Sequence, residues 1–302
     1  MFINFAKRIL KKPYRYIFPL VVYRKQRIFR RKVKSRISRA NLGQNENLDL
    51  ESKLAVSIFI PVALKDIARL ATTVNSLKKY LRHPIKEIIV CGMFKEPLVE
   101  VCAELGVKLI DERDIQPIAK GDISCICNGV DRSGWIYQQL LKLNASNCCE
   151  SDHILIWDSD TEMLKPTSFE NQGKLIIEYS EEIHRPYEVC TTKMLGQCIA
   201  LDLGFTCHKI LFSKVILRAM IKEIESRFGL PWYEAIINCI DADEASGFSE
   251  YNVYSNYALI GFSESVEIRH WRNLSDVKTS GRLRNVLIKK MFSTVSYHSW
   301  EQ

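Results

Sequence analysis

The 302-residue sequence predicts an α/β protein, a mostly parallel sheet flanked by helices, with a basic appendage ahead of it. Three observations carry this. Short apolar runs that read as strands alternate with stretches of helical periodicity from residue 55 to about residue 160. Hydrophobic residues make up 47% of the chain, enough for the core of one large domain, which excludes disorder throughout. The charge is lopsided: residues 1–39 hold 14 of the 43 Lys and Arg, and no Asp or Glu precedes Glu46. Beyond residue 39, 29 basic residues face 35 acidic ones, so a basic tail of 1–50 with its linker precedes a mildly acidic globule of 51–302.

In the tail, Phe2, Phe5, Ala6 and Ile9 recur at helical spacing beside Lys7, Arg8, Lys11 and Lys12, and Phe29, Val33 and Ile37 resume the pattern after Pro13. The apolar stretch 16–23 is far shorter than the ~20 residues needed to span a bilayer, and Pro19 interrupts it. Residues 1–39 are therefore expected to lie on an anionic membrane surface, where each Lys or Arg contributes about 1 kcal/mol. A solvated arm and a nucleic-acid-binding arm are the alternatives. The interleaved Phe, Ile and Val favour a membrane interface over a phosphate backbone, and nucleic acid is not expected as a partner.

The ten cysteines form no Cys-x-x-Cys, so structural zinc is not expected. With no recognisable secretory cleavage pattern, free and mostly buried thiols in a reducing cytoplasm fit better. A cytoplasmic protein held peripherally on the inner face of the membrane is the expected location.

Residues 41–52 suit a linker. A strand closed by Pro61 is expected at 55–62, then a helix to residue 80 capped by Asp66, with Ile67, Leu70, Val74 and Leu77 on one face. Strands at 87–91 and 107–110 bracket a helix at 97–105. After an irregular stretch opened by Asp111 and Asp114, a helix at 134–144 can pack Tyr137, Leu140, Leu141 and Leu143. Its Gln138, Gln139 and Lys142 need polar partners or form a solvated face.

The strand Ile154-Leu155-Ile156-Trp157 ends abruptly in Asp158-Ser159-Asp160. Ligand chemistry in α/β sheets collects where the carboxyl ends of strands emerge. In extended backbone, residues i and i+2 point to the same side, so both carboxylates can reach one hard cation. Two acids that end a strand and face water are the alternative.

The segment 161–169 is expected to turn away from the sheet, with a further strand at 174–179. A helix at 213–228 has Ser213 as N-cap and Gly229 past its end. A short helix at 231–240 follows, then the acidic loop with Asp241 and Asp243. Tyr251, Tyr254 and Tyr257 fit an amphipathic helix capped by Ser249. A strand at 266–268, then His270-Trp271-Arg272-Asn273, and a basic helix at 282–292 complete the chain.

Three stretches together, GWIYQQLLKL from Gly134, ILIWDSDTEMLKP from Ile154 and GFSEYNVYSNY from Gly247, resemble a largely uncharacterised family of bacterial glycosyltransferases of the GT-A type. The likeness spans about residues 56–273. It implies a GT-A-like, Rossmann-type sheet, with a nucleotide-binding half at about 51–165 and an acceptor-binding half at 166–302. It also implies Mn²⁺- or Mg²⁺-dependent transfer of a sugar from a nucleoside-diphosphate donor to a cell-surface glycan or lipid-linked acceptor, as in polysaccharide or lipopolysaccharide synthesis. On this resemblance Asp160 is the direct metal ligand, and Asp158 holds the metal through water or contacts the donor ribose. His270 completes the metal site, with Arg272 beside it for a phosphate. Pro61, Val62 and Asp111 edge the nucleotide pocket, while Gln138, Gln139 and Lys142 approach the donor. An acceptor hydroxyl must lose a proton as it attacks, which calls for a carboxylate. Glu250 is the expected base, with Asp241 and Asp243 as alternatives and helix capping as its structural explanation.

Two rival readings come from other classes. Asp158-Ser159-Asp160-Thr161 also matches the Asp-x-Asp-x-Thr of haloacid-dehalogenase-type phosphatases, in which the first Asp is a nucleophile. That family normally opens its domain with this strand, whereas about a hundred residues of strand and helix come first here. A non-enzymatic adaptor bound to membrane or nucleic acid through its basic arm leaves Asp158 and Asp160 without a role.

Overall fold

The computed structural model describes residues 51–297, apart from 116, 119, 120, 122, 128, 181, 200–202 and 276–290. The tail expected at 1–39, the linker up to residue 50, and residues 282–290 of the expected C-terminal helix lie outside the described residues. The elements begin with β1 (Val56–Pro61), α1 (Ile67–Tyr80), β2 (Ile85–Gly92), α2 (Leu98–Leu105) and β3 (Lys108–Asp111). A small hairpin, β4 (Ile126–Cys127) and β5 (Val130–Asp131), leads into α3 (Ser133–Asn144) and β6 (His153–Trp157). Next come β7 (Thr161–Met163), β8 (Glu170–Asn171), β9 (Lys174–Tyr179), α4 (Arg185–Leu195) and β10 (Lys209–Ser213). The chain continues with α5 (Lys214–Phe228), α6 (Trp232–Cys239), α7 (Glu250–Gly261), β11 (Val266–His270), β12 (Asn273–Ser275) and β13 (Thr294–Ser296).

The central sheet has the order β10-β6-β1-β2-β3. Strands β1, β2, β3 and β6 are parallel, and β10 joins the edge of β6 antiparallel, with Lys209 opposite Trp157 and Ser213 opposite His153. The apolar runs that predicted strands are here the buried middle: Val56, Ile58, Phe59 and Ile60 of β1, and Ile154 to Trp157 of β6, have no exposed surface. Strands covered on both faces read as continuous apolar runs, and these do.

From β1 the chain steps outward to β2 and β3, then returns to place β6 on the other side of β1. The order reverses between β1 and β6. Outside the carboxyl ends of the strands at such a reversal lies a crevice, the usual ligand position in open α/β sheets. Pro61 and Val62 stand at one lip and Asp158 at the other.

Several local expectations change. Asp66 is the residue before α1, but its side chain makes no capping bond, because a 3-10 turn at Leu64–Asp66 already leads into the helix. Ser213 likewise precedes α5 without a side-chain cap bond. Pro231 is the residue before α6 rather than its first helical one. Residues 161–163 do not simply turn away: β7 pairs antiparallel with β13 in a separate sheet, β12-β13-β7. A third sheet, β11-β9-β8, packs Val266 to His270 parallel to Leu175 to Tyr179. All ten cysteines are free thiols. Among the described residues no helix is long and apolar enough to cross a membrane.

Helix α7 is buried on nearly every side rather than amphipathic. Ser249 caps it, its hydroxyl accepting from Asn252 N–H. Its polar side chains find partners in neighbouring elements: the Asn252 amide donates to Thr191 Oγ1 at 2.9 Å, and Asn256 Oδ1 accepts from Ile199 N–H at 2.7 Å. The Tyr254 hydroxyl accepts from Ser213 N–H at 2.8 Å, tying α7 to the end of β10. Tyr254→Phe keeps the ring packing on Phe212 and leaves that N–H without its acceptor, an expected loss of about 1–3 kcal/mol. Urea unfolding measures it, and an unchanged midpoint would contradict the assignment.

Candidate functional site

Asp158 follows the last residue of β6 and lies opposite His208, the residue before β10. Its backbone N–H donates to the His208 carbonyl at 2.9 Å, one bond beyond the β6–β10 ladder. Trp157 Nε1 donates to Thr161 O at 2.6 Å, Thr73 Oγ1 on α1 donates to Ser159 O at 2.8 Å, and Thr161 N–H donates to Asp158 O at 3.1 Å. Side chains from α1 and β6 thus hold the Asp-Ser-Asp-Thr turn in one shape.

The Asp158 carboxylate is saturated. Its Oδ1 accepts from Lys142 Nζ at 2.6 Å and from the Tyr251 hydroxyl at 2.7 Å, and its Oδ2 lies 3.0 Å from His208 Nδ1. Burial pushes this carboxyl up, but Lys142 and His208 outweigh it and hold it well below the usual carboxylate range. Asp160 behaves oppositely. Burial, and after it the charge of Asp158, push its carboxyl up to about 6. Asp158, Asp160 and His208 each offer a ligand atom, all within 4.8 Å of one another, the only such group of three among the described residues. Two carboxylates and an imidazole suit Mg²⁺ or Mn²⁺.

The buried ammonium of Lys142, on α3, is 4% exposed. It lies 2.6 Å from Asp158 Oδ1, 2.7 Å from Glu250 Oε1 and 3.0 Å from the Tyr251 oxygen, which accepts from it. Glu250 Oε1 has no directed hydrogen bond, so charge rather than bond direction holds that pair. Burial alone would lower the Lys142 pKa; Asp158 and Glu250 raise it above its ordinary value. The Glu250 carboxyl is raised by burial, which Lys142 opposes. Gln139 Oε1 accepts from Glu250 N–H at 3.2 Å, while its Nε2 has no hydrogen-bond partner among the described residues. Gln139 and Lys142 on the polar face of α3 therefore belong to a buried network rather than a solvated surface, and Gln138 is half-buried.

The remaining residues singled out by sequence lie as follows. The structure brings His208, not His270, to the carboxylates: His270 ends β11 and packs edge-on against Tyr179. The reason is topological, because the antiparallel strand β10 sets residue 208 across from Asp158, whereas β11 belongs to another sheet. Arg272 is exposed just beyond β11. Asp111 ends β3, where the Arg113 guanidinium holds its carboxyl well below the usual range and Phe94 N–H donates to it at 3.3 Å. Asp241 and Asp243 stand exposed in their loop, Asp241 Oδ1 accepting from Asp243 N–H. Sequence reasoning missed His208, Tyr251 and Trp271. Tyr251 adjoins Glu250 in a quoted motif, and Trp271 follows His270, but nothing around His208 resembles a ligand motif.

A model of a family of unknown function, DUF6492, matches residues 53–292. The chain belongs to DUF6492. No curated protein matches this DUF6492 chain. Among solved structures it is similar to apo mouse xyloside xylosyltransferase 1, at 12% identity and a TM-score of 0.44, with 83% of this chain and 99% of that one covered. It is also similar to the galactosyltransferase LgtC with donor and acceptor sugar analogues, at 12% identity and a TM-score of 0.44, covering 80% of this chain and 86% of that one. A third is glucosyl-3-phosphoglycerate synthase of Mycobacterium tuberculosis with Mn²⁺ and UDP, at 12% identity and a TM-score of 0.42, covering 78% and 76%. At these values the likeness carries no functional assignment.

The electrostatics of Asp160 yield a prediction with a definite sign. Its folded pKa, about 6, lies above the ordinary 3.8, so between those values the unfolded carboxyl ionises while the folded one keeps its proton. Stability therefore falls as pH rises through that window, and the penalty is fully present above about 6. Metal-free Asp160→Asn is expected to melt higher than the wild type at pH 7.5, with the gap closing toward pH 4. A lower melting temperature at pH 7.5 would contradict this account.

Proposed function

We propose that this DUF6492 protein is a metal-dependent glycosyltransferase that moves a sugar from a nucleoside-diphosphate donor to a cell-surface glycan or lipid-linked acceptor. The observation that carries the reading is the Asp158, Asp160 and His208 group at the carboxyl edge of the sheet, beside the point where the strand order reverses. When bound there, Mn²⁺ or Mg²⁺ would neutralise the charge that develops on the departing nucleoside diphosphate. Asp160 and His208 are the proposed direct ligands. Asp158 already serves Lys142, Tyr251 and His208, and reaches the cation through water or turns to the donor ribose.

The donor enters over Pro61 and Val62, with Asp111 at the outer edge, so residues 51–165 form the nucleotide half and 166–302 the acceptor half. Gln138, half-buried on α3, is the proposed donor contact from this helix, while Gln139 and Lys142 are engaged in the buried network, and the exposed Arg272 is proposed to meet a phosphate. Residues 1–39 would hold the enzyme on the inner face of the cytoplasmic membrane, next to a lipid-linked acceptor. The phosphatase reading loses support because both oxygens of its would-be nucleophile, Asp158, are engaged.

Calorimetry with a panel of nucleoside diphosphates in the presence of Mn²⁺ tests the reading. Metal-dependent heat is expected with one of them and its loss in Asp160→Ala, with the fold retained. No metal-dependent heat with any nucleotide would sink the proposal.

Glu250 is the proposed base, and its buried contact with Lys142 supplies the competing role of counter-ion. Glu250→Gln keeps the shape and cannot take a proton. A base should show turnover lower by roughly 10²–10⁴ with donor affinity little changed. A counter-ion should instead show a lower melting temperature and nearly intact turnover, which would pass the base to Asp241 or Asp243.

A further inference from the structure

His208 enters the carboxylate group in an unfavourable backbone conformation. Its φ is 54°, in the left-handed region that a non-glycine residue adopts only where its surroundings impose it. Two contacts on the Asp158 side impose it: the His208 carbonyl accepts Asp158 N–H at 2.9 Å, and Nδ1 lies 3.0 Å from Asp158 Oδ2. The imidazole also packs on the indole of Trp271, with ring centroids 5.2 Å apart and planes inclined by 43°.

Trp271 is itself fixed from three directions. Its backbone N–H donates to Tyr179 O at 2.7 Å, at the end of β9. Its indole N–H donates to Thr294 Oγ1 at 3.1 Å on β13, and Thr294 Oγ1 donates on to Asn273 Oδ1 at 2.8 Å. The ammonium of Lys209, the residue after His208, lies 4.9 Å from the indole ring centre and 2.7 Å from Glu178 Oε2. The indole is therefore a rigid wall built by all three large sheets, and what rests on it is the ring of the candidate ligand.

We propose that Trp271 is a positioning residue for His208, holding its imidazole toward Asp158 and Asp160 so that a divalent cation meets a preformed set of ligands. The inference rests on the metal-site reading above. Without the indole the imidazole would lose the packing on one of its faces, and each alternative rotamer it gained would dilute the binding-competent state and weaken apparent affinity in proportion.

The test uses Mn²⁺ alone with the full-length protein, its affinity measured from the electron paramagnetic resonance of the free ion. Trp271→Leu removes the flat wall and is expected to weaken Mn²⁺ binding about tenfold or more, the range for residues that orient metal ligands. Trp271→Phe restores an aromatic face and should recover most of that loss, whereas a purely volumetric role would let leucine serve as well as phenylalanine. Thr294→Val frees the indole N–H with little change of volume, and is expected to weaken binding about threefold. Should Trp271→Leu not fold, Thr294→Val decides. Affinity within about twofold of wild type in folded Trp271→Leu, or failing that in Thr294→Val, overturns the inference. Mn²⁺ binding that is absent from the wild type, or unaffected by Asp160→Ala, removes the metal site and this inference together. Binding that needs Asp160 but not Trp271 removes only the inference.

Discussion

The site depends on one ammonium group taken out of water. Lys142 could not be buried alone, since the effective cost of desolvating such an ion is several kcal/mol. Asp158 and Glu250 supply the opposing charges and Tyr251 a hydroxyl oxygen. These partners belong to the turn after β6 and to the first turn of α7, more than a hundred residues apart in the case of Lys142 and Tyr251. Lys142 thereby pins the first half of the chain to the second at the place where the crevice opens. Gln139, one helical turn before Lys142, repeats the tie by accepting from Glu250 N–H. Removing Lys142 would leave two buried carboxylates facing each other without their shared cation, the situation in which ion pairs matter most to stability.

That same ammonium divides the work of two chemically identical side chains. Asp158 and Asp160 share a turn, yet Lys142, Tyr251 and His208 converge on the first, while at the second burial and the charge of Asp158 dominate. Asp66, on the approach to α1, adds to the negative field at Asp160. Paired carboxylates pushed in opposite directions mark different roles. Asp158 is a structural anion that organises donors around itself, whereas at Asp160 burial and the neighbouring negative charges outweigh His208 and Lys142.

The sheet was legible because its strands are covered on both faces and cannot hide their composition: Val56 to Pro61 and His153 to Trp157 read as strands in any context. Lys142 and Gln139 were legible as residues in need of partners, though not as a buried pair, since polar positions on a helix look alike whether water or a carboxylate receives them. His208 was illegible. A five-residue antiparallel strand, Lys209–Ser213, runs straight into a helix, and the sequence offers only a three-residue apolar run, Ile210 to Phe212, before Ser213 as a helix start. Without that strand nothing sets residue 208 opposite Asp158, and chain order favoured His270. A positive φ at a histidine leaves no mark in the sequence either, because glycine or asparagine is what usually signals it.

A second buried carboxylate obeys the rule that governs Asp158. Glu178 on β9 meets Lys209 on β10 at 2.7 Å and Arg269 on β11 at 2.9 Å, and these cations outweigh burial to keep its carboxyl below the ordinary value. Two cation-bearing seams among the described residues are thus closed from within the protein: α3 to α7 through Lys142, and the central sheet to β9 of its neighbour through Lys209, while Arg269 ties β11 to β9 inside that neighbouring sheet. Asp160, its carboxyl raised to about 6, is a group whose ionisation opposes folding at neutral pH. A cation bound there would reverse that penalty, and because it binds the folded chain alone, its affinity adds directly to stability. On the proposed metal-site reading, the feature that makes the metal-free protein less stable is thus the one that would favour positive charge at the site.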